Sequence, residues 1–398
     1  MKDSFEVEYS KLDYITQTLG DYLSELGYKF VNPPLLEKTE LFLRKSGGEF
    51  GTRLYSFTDP GGNKVSLRPE FTSSIIRMFV QTKNISSFPI KWQYAGPVFR
   101  YSTVKNTEYR QFSQLGAELI GLNNIEVDAE LISIALNGLR ALNINRYFLN
   151  IGDMGIINTV LDKLKLSDRA RGFLIRSIPS LNEKGQSLEN LKTAKNQLFL
   201  SPKYNLKDIL DIDNIDPKSL KRLLKPLFTQ GTFTAVGQRT SDEIINRFVS
   251  RVQENDEIIN VEKGIKLLTK LAKVQGKPTE ALVRARTISD EFDIEPNTFD
   301  KIEKLVSLLY DLGIEKNCLN IDFGLVRGIS YYSGVIFDIG HPNLITGSSL
   351  GGGGRYDSLV ETLGGAKGTP AMGFAYNLDS INTLLPTNPE FIEMTTEE

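Results

Sequence analysis

Residues 91–101 (KWQYAGPVFRY) and 109–121 (YRQFSQLGAELIG) constrain the fold of this chain more than any other feature. They read as two long strands around a short polar loop, residues 102–108. A link that short permits antiparallel pairing and excludes the crossover of a dozen or more residues that parallel strands need. Side chains alternate across a strand, so Phe112, Gln114, Gly116 and Glu118 share one face. Upstream, residues 54–67 read as a second hairpin, with LYSFTD and KVSL flanking the turn PGGN.

Helical periodicity fills the spaces between these strands. Leu12, Ile15, Leu19, Leu23 and Leu26 recur at steps of three and four over 9–27, and Gly27 is suited to end that helix. Further helices are expected over 38–45, 72–83 and 127–142, the last with Asp128 near its start and Leu131, Ile132, Ala135, Leu136, Leu139 and Leu142 apolar. The pattern then changes. Residues 166–298 are helical in period and rich in Lys and Asp, with a capping box at Thr240 and Glu243. Strand character returns over 317–339. A run of four glycines, Gly351 to Gly354, follows, and PAMGFAYNLDSINTLL reads as a strand entering a helix. The glycine run is open to two readings: backbone approaching a ligand, or a tight strand connection. The expected fold class is α+β, an antiparallel sheet flanked by helices rather than a doubly wound parallel sheet. Residues 1–165 and 299–398 form a discontinuous core, and 166–298 form an inserted, mostly helical domain.

Composition narrows the chemistry. Among 398 residues there is one cysteine, Cys318, and one histidine, His341. A disulfide framework, a Cys cluster for zinc and multi-histidine metal sites are therefore excluded, although an all-carboxylate site is not. His341, beside Pro342, reads as a loop residue. The net charge of −2 gives no global footprint for nucleic acid. No apolar run approaches ~18 residues and the charged N-terminus lacks an apolar signal core, so a cytosolic protein without membrane partners is expected. No Walker A, GxSxG, HExxH or EF-hand pattern is present.

The informative residues are polar ones at strand ends: Glu70 in LRPEFT, Arg100 in GPVFRY, Gln114 and Glu118 in QFSQLGAE, and Arg327, Tyr331 and Tyr332 in LVRGISYY. Together these can line a small pocket of acids, an amide, phenols and a guanidinium. These segments, with GGGGRYDSLVETLGG and PAMGFA, are similar to the catalytic core of class II aminoacyl-tRNA synthetases, specifically histidyl-tRNA synthetase. The resemblance covers about residues 5–160 and 315–385. It implies an antiparallel sheet flanked by helices, and a homodimer formed largely through the N-terminal motif. It also implies a histidine pocket: Glu70, Thr72 and Gln114 on the ammonium, Glu118 and Tyr331 on the imidazole with Tyr332 nearby, and Arg327 facing the carboxylate.

The departures from that family lie at its ATP motifs. Tyr101-Ser102 follows Phe99-Arg100 where the family has x-Glu, Glu108 stands for an arginine, and Ser380 for the arginine that clasps ATP. Arg100 is kept. The acidic tail 386–398 is too short for the anticodon-binding domain with which the synthetases continue. This combination resembles the regulatory subunits of ATP phosphoribosyltransferase. That resemblance implies a non-catalytic chain with no cofactor or metal. Its partner would be a short-form catalytic subunit, in a hetero-oligomer serving the first step of histidine biosynthesis, with histidine as effector. The alternative is a free-standing amino-acid-activating ligase or reduced synthetase, which Arg100, Arg327 and the intact GGGGRYD run favour. A third reading, a tRNA-binding accessory protein, rests on Lys263, Lys266, Lys270 and Lys273. The same lysines also read as the solvated face of a helix that buries Val261, Ile265, Leu268 and Ala272.

Overall fold

The computed structural model describes residues 3–44, 53–82, 87–101, 110–181, 222, 254–326, 331–345 and 348–386. The chain opens with α1 (Glu6–Glu25), β1 (Lys29–Phe30), β2 (Leu36–Lys38), α2 (Thr39–Leu43), β3 (Ser56–Thr58), β4 (Lys64–Leu67) and α3 (Thr72–Gln81). Next come β5 (Ile90–Phe99), β6 (Gln111–Ile120), α4 (Ile125–Ala141), β7 (Phe148–Asp153), α5 (Met154–Asp162) and α6 (Asp168–Leu181). Beyond the insert stand α7 (Glu254–Ala272), β8 (Gln275–Gly276), α8 (Pro278–Glu291), α9 (Asp300–Asp311) and β9 (Leu319–Asp322). The described chain ends with β10 (Val335–Gly340), β11 (Gly351–Arg355), α10 (Asp357–Thr362), β12 (Ala371–Asn377) and α11 (Leu378–Asn382).

Nine strands form one sheet in the order β1-β5-β6-β12-β11-β10-β7-β9-β8, and β2-β4-β3 form a small second sheet. The predicted hairpins are present: β5 pairs antiparallel with β6 from Ile90↔Ile120 to Phe99↔Gln111, and β3 with β4. The sheet is not antiparallel throughout. β1 runs parallel to β5 and β7 parallel to β9. Long connections separate both pairs in sequence, which is what a parallel pair requires.

Local rules account for the helix ends. After α1, Gly27 takes φ 83°, and the Gly27 and Tyr28 N–H groups donate to the Ser24 and Leu23 carbonyls, so glycine accepts the left-handed turn that closes the helix. Ahead of α4 the Asn124 side chain accepts the Val127 N–H at 3.0 Å. Asn124→Ala should cost about 1 kcal/mol, read as a lower denaturant midpoint at unchanged slope.

The two sheet faces are distinct. Leu115 and its register partner Tyr376 point toward α4, where the Tyr376 hydroxyl donates to the Ala135 carbonyl at 2.7 Å. Gln114, Gly116 and Glu118 occupy the opposite face. There Ile76, Phe79, Ile120, Tyr331, Tyr356, Leu359 and Val360 form one buried cluster.

The chain divides into two compact units, Met1–Val160 with Lys270–Glu398, and Leu161–Thr269. The insert expected at 166–298 differs at its second edge, because β8 pairs with β9 of the main sheet and α8 packs on β9. The Thr240 and Glu243 capping box lies outside the described residues. On α7, Val261, Leu268 and Ala272 are buried while Lys263, Lys266 and Lys273 are exposed, and Lys270 pairs with Glu291. That is the distribution of an amphipathic helix with a solvated basic face. Among the described residues no helix is long and apolar enough to cross a membrane.

Candidate functional site

The face carrying Gln114 holds a cavity of about 440 Å³, its open mouth included. Five of the seven residues expected to hold histidine line it together: Glu70, Thr72, Gln114, Tyr331 and Tyr332. Arg100 lines it as well. Glu118 lies against its floor, 1% exposed. Arg327, Ser102 and Glu108 lie outside the described residues.

Glu70 ends the segment leading into α3. Its two carboxylate oxygens each accept the Ser73 N–H at 3.2 Å, so it sits on the free donors of the helix N-terminus. Burial pushes its carboxyl above the ordinary range, against the pull of the Ser73 hydrogen bonds and of the Arg100 charge. Arg100 is held by its own contacts: Nε donates to the Pro69 carbonyl at 2.8 Å, and the guanidinium lies 5.1 Å from the Phe112 ring centroid. Gln114 Oε1 is buried with no hydrogen-bond partner among the described residues. A buried amide oxygen without a donor is costly, and a ligand N–H or ammonium entering here would satisfy it.

Glu118 is the most heavily bonded group. Thr72 Oγ1 donates to Oε1 at 2.7 Å and the Tyr94 hydroxyl to the same oxygen at 3.1 Å. The Tyr356 hydroxyl donates to Oε2. Burial pushes the Glu118 carboxyl up to about 7, against the three hydroxyl hydrogen bonds, with Glu70 pushing the same way as burial. The unfolded chain releases this proton in the ordinary carboxylate range, whereas the folded chain keeps it until higher pH. Its contribution to stability is therefore complete in acid and is lost as pH rises through about 7.

Thr72, expected on a ligand ammonium, gives its proton to Glu118, which leaves its lone pairs for such a donor. Tyr331, expected with Glu118 on an imidazole, lines the cavity, and the phenols that bond Glu118 itself are Tyr94 and Tyr356. Tyr331 packs edge-on against Tyr356, with ring centroids 5.6 Å apart. Sequence reasoning missed Tyr94 and Tyr356. Tyr94 stands opposite Gly116 in the β5–β6 register, so it becomes visible once that pairing is known. Tyr356 belongs to the GGGGRYD run.

The four glycines of that run form a central strand, β11, between β10 and β12. A Cβ on Gly353 would stand 2.0 Å from the Gly373 carbonyl oxygen, so close backbone approach explains that glycine, while Gly352 lines the cavity. Beside the cavity runs a groove of about 1200 Å³, open to solvent, with Arg100, Gln114, Asn343, Asn377, Ser380 and Thr383 among its walls. Arg100 is the one charged residue among the described residues that line it. Ser380 lies in the first turn of α11; its N–H donates to Asn377 Oδ1 at 3.2 Å and its carbonyl accepts from Thr383. His341 lies in a loop, as expected, its Nδ1 accepting the Asn343 N–H. Among the described residues no group of three or more His, Cys, Asp and Glu side chains could hold a metal ion.

In chemical terms the site offers two buried carboxylates, an unpartnered amide oxygen and several phenols in a small cavity. That suits a ligand rich in N–H donors.

Comparison with known proteins identifies the family. The model of the histidyl-tRNA synthetase family matches residues 1–198 and 249–381. The histidine--tRNA ligase of Sulfurisphaera tokodaii is 31% identical over 382 residues, covering 95% of this chain and 72% of the relative. That of Pyrococcus furiosus is 29% identical over 384 residues, covering 96% and 73%. A crystal structure from Bacillus halodurans, an ATP phosphoribosyltransferase regulatory subunit/histidyl-tRNA synthetase, superposes with a TM-score of 0.65 at 20% identity, covering 97% of this chain and 82% of that one. With the family model spanning most of the sequence and the class II α+β fold present, this chain belongs to the histidyl-tRNA synthetase family.

Proposed function

We propose that this chain is a non-catalytic regulatory subunit of ATP phosphoribosyltransferase. It binds histidine in the cavity and acts on a short-form catalytic subunit in a hetero-oligomer, itself paired as a homodimer. The observation that carries the reading is the groove beside the cavity, where Arg100 is the one cation among the described lining residues and Ser380 replaces the family's arginine. Adenylation concentrates charge at the α-phosphate, and losing one preorganised donor in such a site typically costs ~2.7–4 kcal/mol, a factor of ~10²–10³. The sequence departures at Ser102 and Glu108 act in the same direction. The cavity is better kept than the groove: Glu70, Gln114 and Glu118 supply acceptors for an ammonium and a ring N–H. The structural neighbour from Bacillus halodurans carries the regulatory-subunit name beside the synthetase one.

A regulator of this kind must bind histidine with different affinity in active and inhibited assemblies. Coupling of ~1–3 kcal/mol would change activity ~5–150-fold. The deciding experiment assays a short-form catalytic subunit with and without this chain, then with histidine. Activity that rises with the chain and falls with histidine is expected. A second reading, an amino-acid-activating ligase, is favoured by the curated relatives, which are named histidine--tRNA ligases. No complex with the catalytic subunit, together with histidine-dependent pyrophosphate exchange at synthetase-like rates, would establish that reading instead.

A further inference from the structure

Three phenols of the cavity wall stand on neighbouring strands, just past the point where the regular pairing of those strands stops. β10 pairs with β11 as far as Ile336↔Gly354. Tyr331 and Tyr332 lie ahead of β10, Tyr356 lies after β11, and all three line the cavity. The Tyr331 ring centroid is 4.9 Å from that of Tyr332 and 5.6 Å from that of Tyr356. The rings meet in this way only if the two strands stay together beyond their last regular pair.

Ser333 holds them there. Its N–H donates to the Arg355 carbonyl at 2.8 Å, and its hydroxyl accepts the Asp357 N–H at 3.0 Å. The second bond meets a need that the cavity creates. Asp357 is the first residue of α10, and the opening N–H groups of a helix have no partner within it. A Ser, Thr, Asp or Asn side chain at the N-cap usually accepts one of them. Here the N-cap is Tyr356, whose side chain makes no such bond. Ser333 supplies an acceptor from the neighbouring segment instead. The next residue, Gly334, gives its carbonyl to the Met154 N–H at 2.9 Å, and a Cβ on it would stand 3.3 Å from Arg355 Cδ. The chain is therefore tied to β11 and to the start of α5 directly after the two tyrosines.

We propose that Ser333 is a positioning residue of the cavity: by capping α10 from the neighbouring strand, it sets Tyr331 and Tyr332 against Tyr356 before any ligand arrives. The proposal rests on the reading of the cavity as a histidine site and names what preorganises one wall of it. Ser333 is not itself among the residues that line the cavity, so it acts through the tyrosines. A ligand that needs the ordered wall binds more weakly in proportion to the fraction of chains in which the wall is disordered.

The test uses the full chain with 3-fluorotyrosine at position 332 and two readouts, the ¹⁹F spectrum and the affinity for L-histidine. Wild type should give one narrow line. Ser333→Ala should give a broadened or divided line without ligand and bind histidine about 3- to 10-fold more weakly, the range of one neutral hydrogen bond. Saturating histidine should restore the single line, because it selects the ordered wall. Ser333→Thr keeps the hydroxyl and should return both readouts toward wild type. Gly313→Ala strains the left-handed turn after α9, where φ is 82°, and serves as a control that lowers stability away from the cavity. It should leave both readouts unchanged. A wild-type line and affinity in Ser333→Ala, or an equal loss of affinity in Gly313→Ala, overturns the positioning role. A divided line in Ser333→Ala when wild type binds no histidine upholds that role and overturns the histidine reading instead.

Discussion

Asp128→Ala should destabilise the larger unit by about 3–5 kcal/mol, the range observed when one partner of a buried ion pair is removed. Arg355 and Asp128 are 2% and 1% exposed at their side chains. Arg355 Nε donates to Asp128 Oδ1 at 3.0 Å and Nη2 donates to the same oxygen. The guanidinium also reaches the Leu122 carbonyl at 3.2 Å and Asp357 Oδ1 at 3.1 Å. Asp357 in turn accepts the Ala371 N–H, so the network ties α4, β11, α10 and β12 together. Removing Asp128 leaves a buried guanidinium with one half-buried acid partner. Asp128→Leu combined with Arg355→Met should recover much of the loss, since an apolar pair of similar volume is often neutral or better. Urea titration of the single and double variants checks both statements. A single-variant loss below about 1 kcal/mol would mean that Asp357 and solvent suffice for Arg355.

The elements legible in the sequence were those fixed by local rules. The two-residue period put Gln114 and Glu118 on one face before any pairing was known, and β6 keeps them there. The leucine spacing of α1 and its terminating Gly27 needed no tertiary information either. What the sequence hid was long-range. β1 and β8 have two residues each, too short to show a period, and their partners are set by distant strands. The second edge of the insert was misplaced for that reason, because Gln275 and Gly276 carry no strand pattern of their own. Tyr94 and Tyr356 were overlooked because their importance comes from register. Tyr94 faces Glu118 only through the pairing of β5 with β6, and Tyr356 reaches it only once β11 and β12 are stacked beside β6. Glu70 and Gln114 were easier to place in the cavity, since both sit in motifs whose chemistry is readable one residue at a time. The donation from Thr72 to Glu118 was not readable, because it depends on tertiary placement.

The same stacking gives the second large effect. Gly373→Ala should abolish measurable histidine binding, a loss of at least about 100-fold, through Glu118 rather than through contact with the ligand. In register, Gly373 stands directly opposite Glu118. A Cβ built there would lie 1.5 Å from Glu118 Oε2, 2.5 Å from its Cδ and 2.8 Å from the Ala117 carbonyl oxygen. Side-chain motion could relieve the first two clashes, but the third is with backbone in a central strand. The carboxylate must leave, and with it goes the common acceptor of Thr72, Tyr94 and Tyr356. Those hydroxyls are then free to donate into the cavity, the wrong polarity for an ammonium or a ring N–H. Combining Gly373→Ala with Glu118→Ala separates the two consequences. It removes the clash with the carboxylate but not that with the Ala117 carbonyl, so thermal stability should recover only in part toward that of Glu118→Ala alone, while histidine binding stays lost. Calorimetry of wild type, both single variants and the double variant reads both quantities. If Gly373→Ala binds histidine within threefold of wild type, Glu118 does not occupy the space above Gly373 when histidine binds, and the hydroxyls bonded to it are not what recognises histidine.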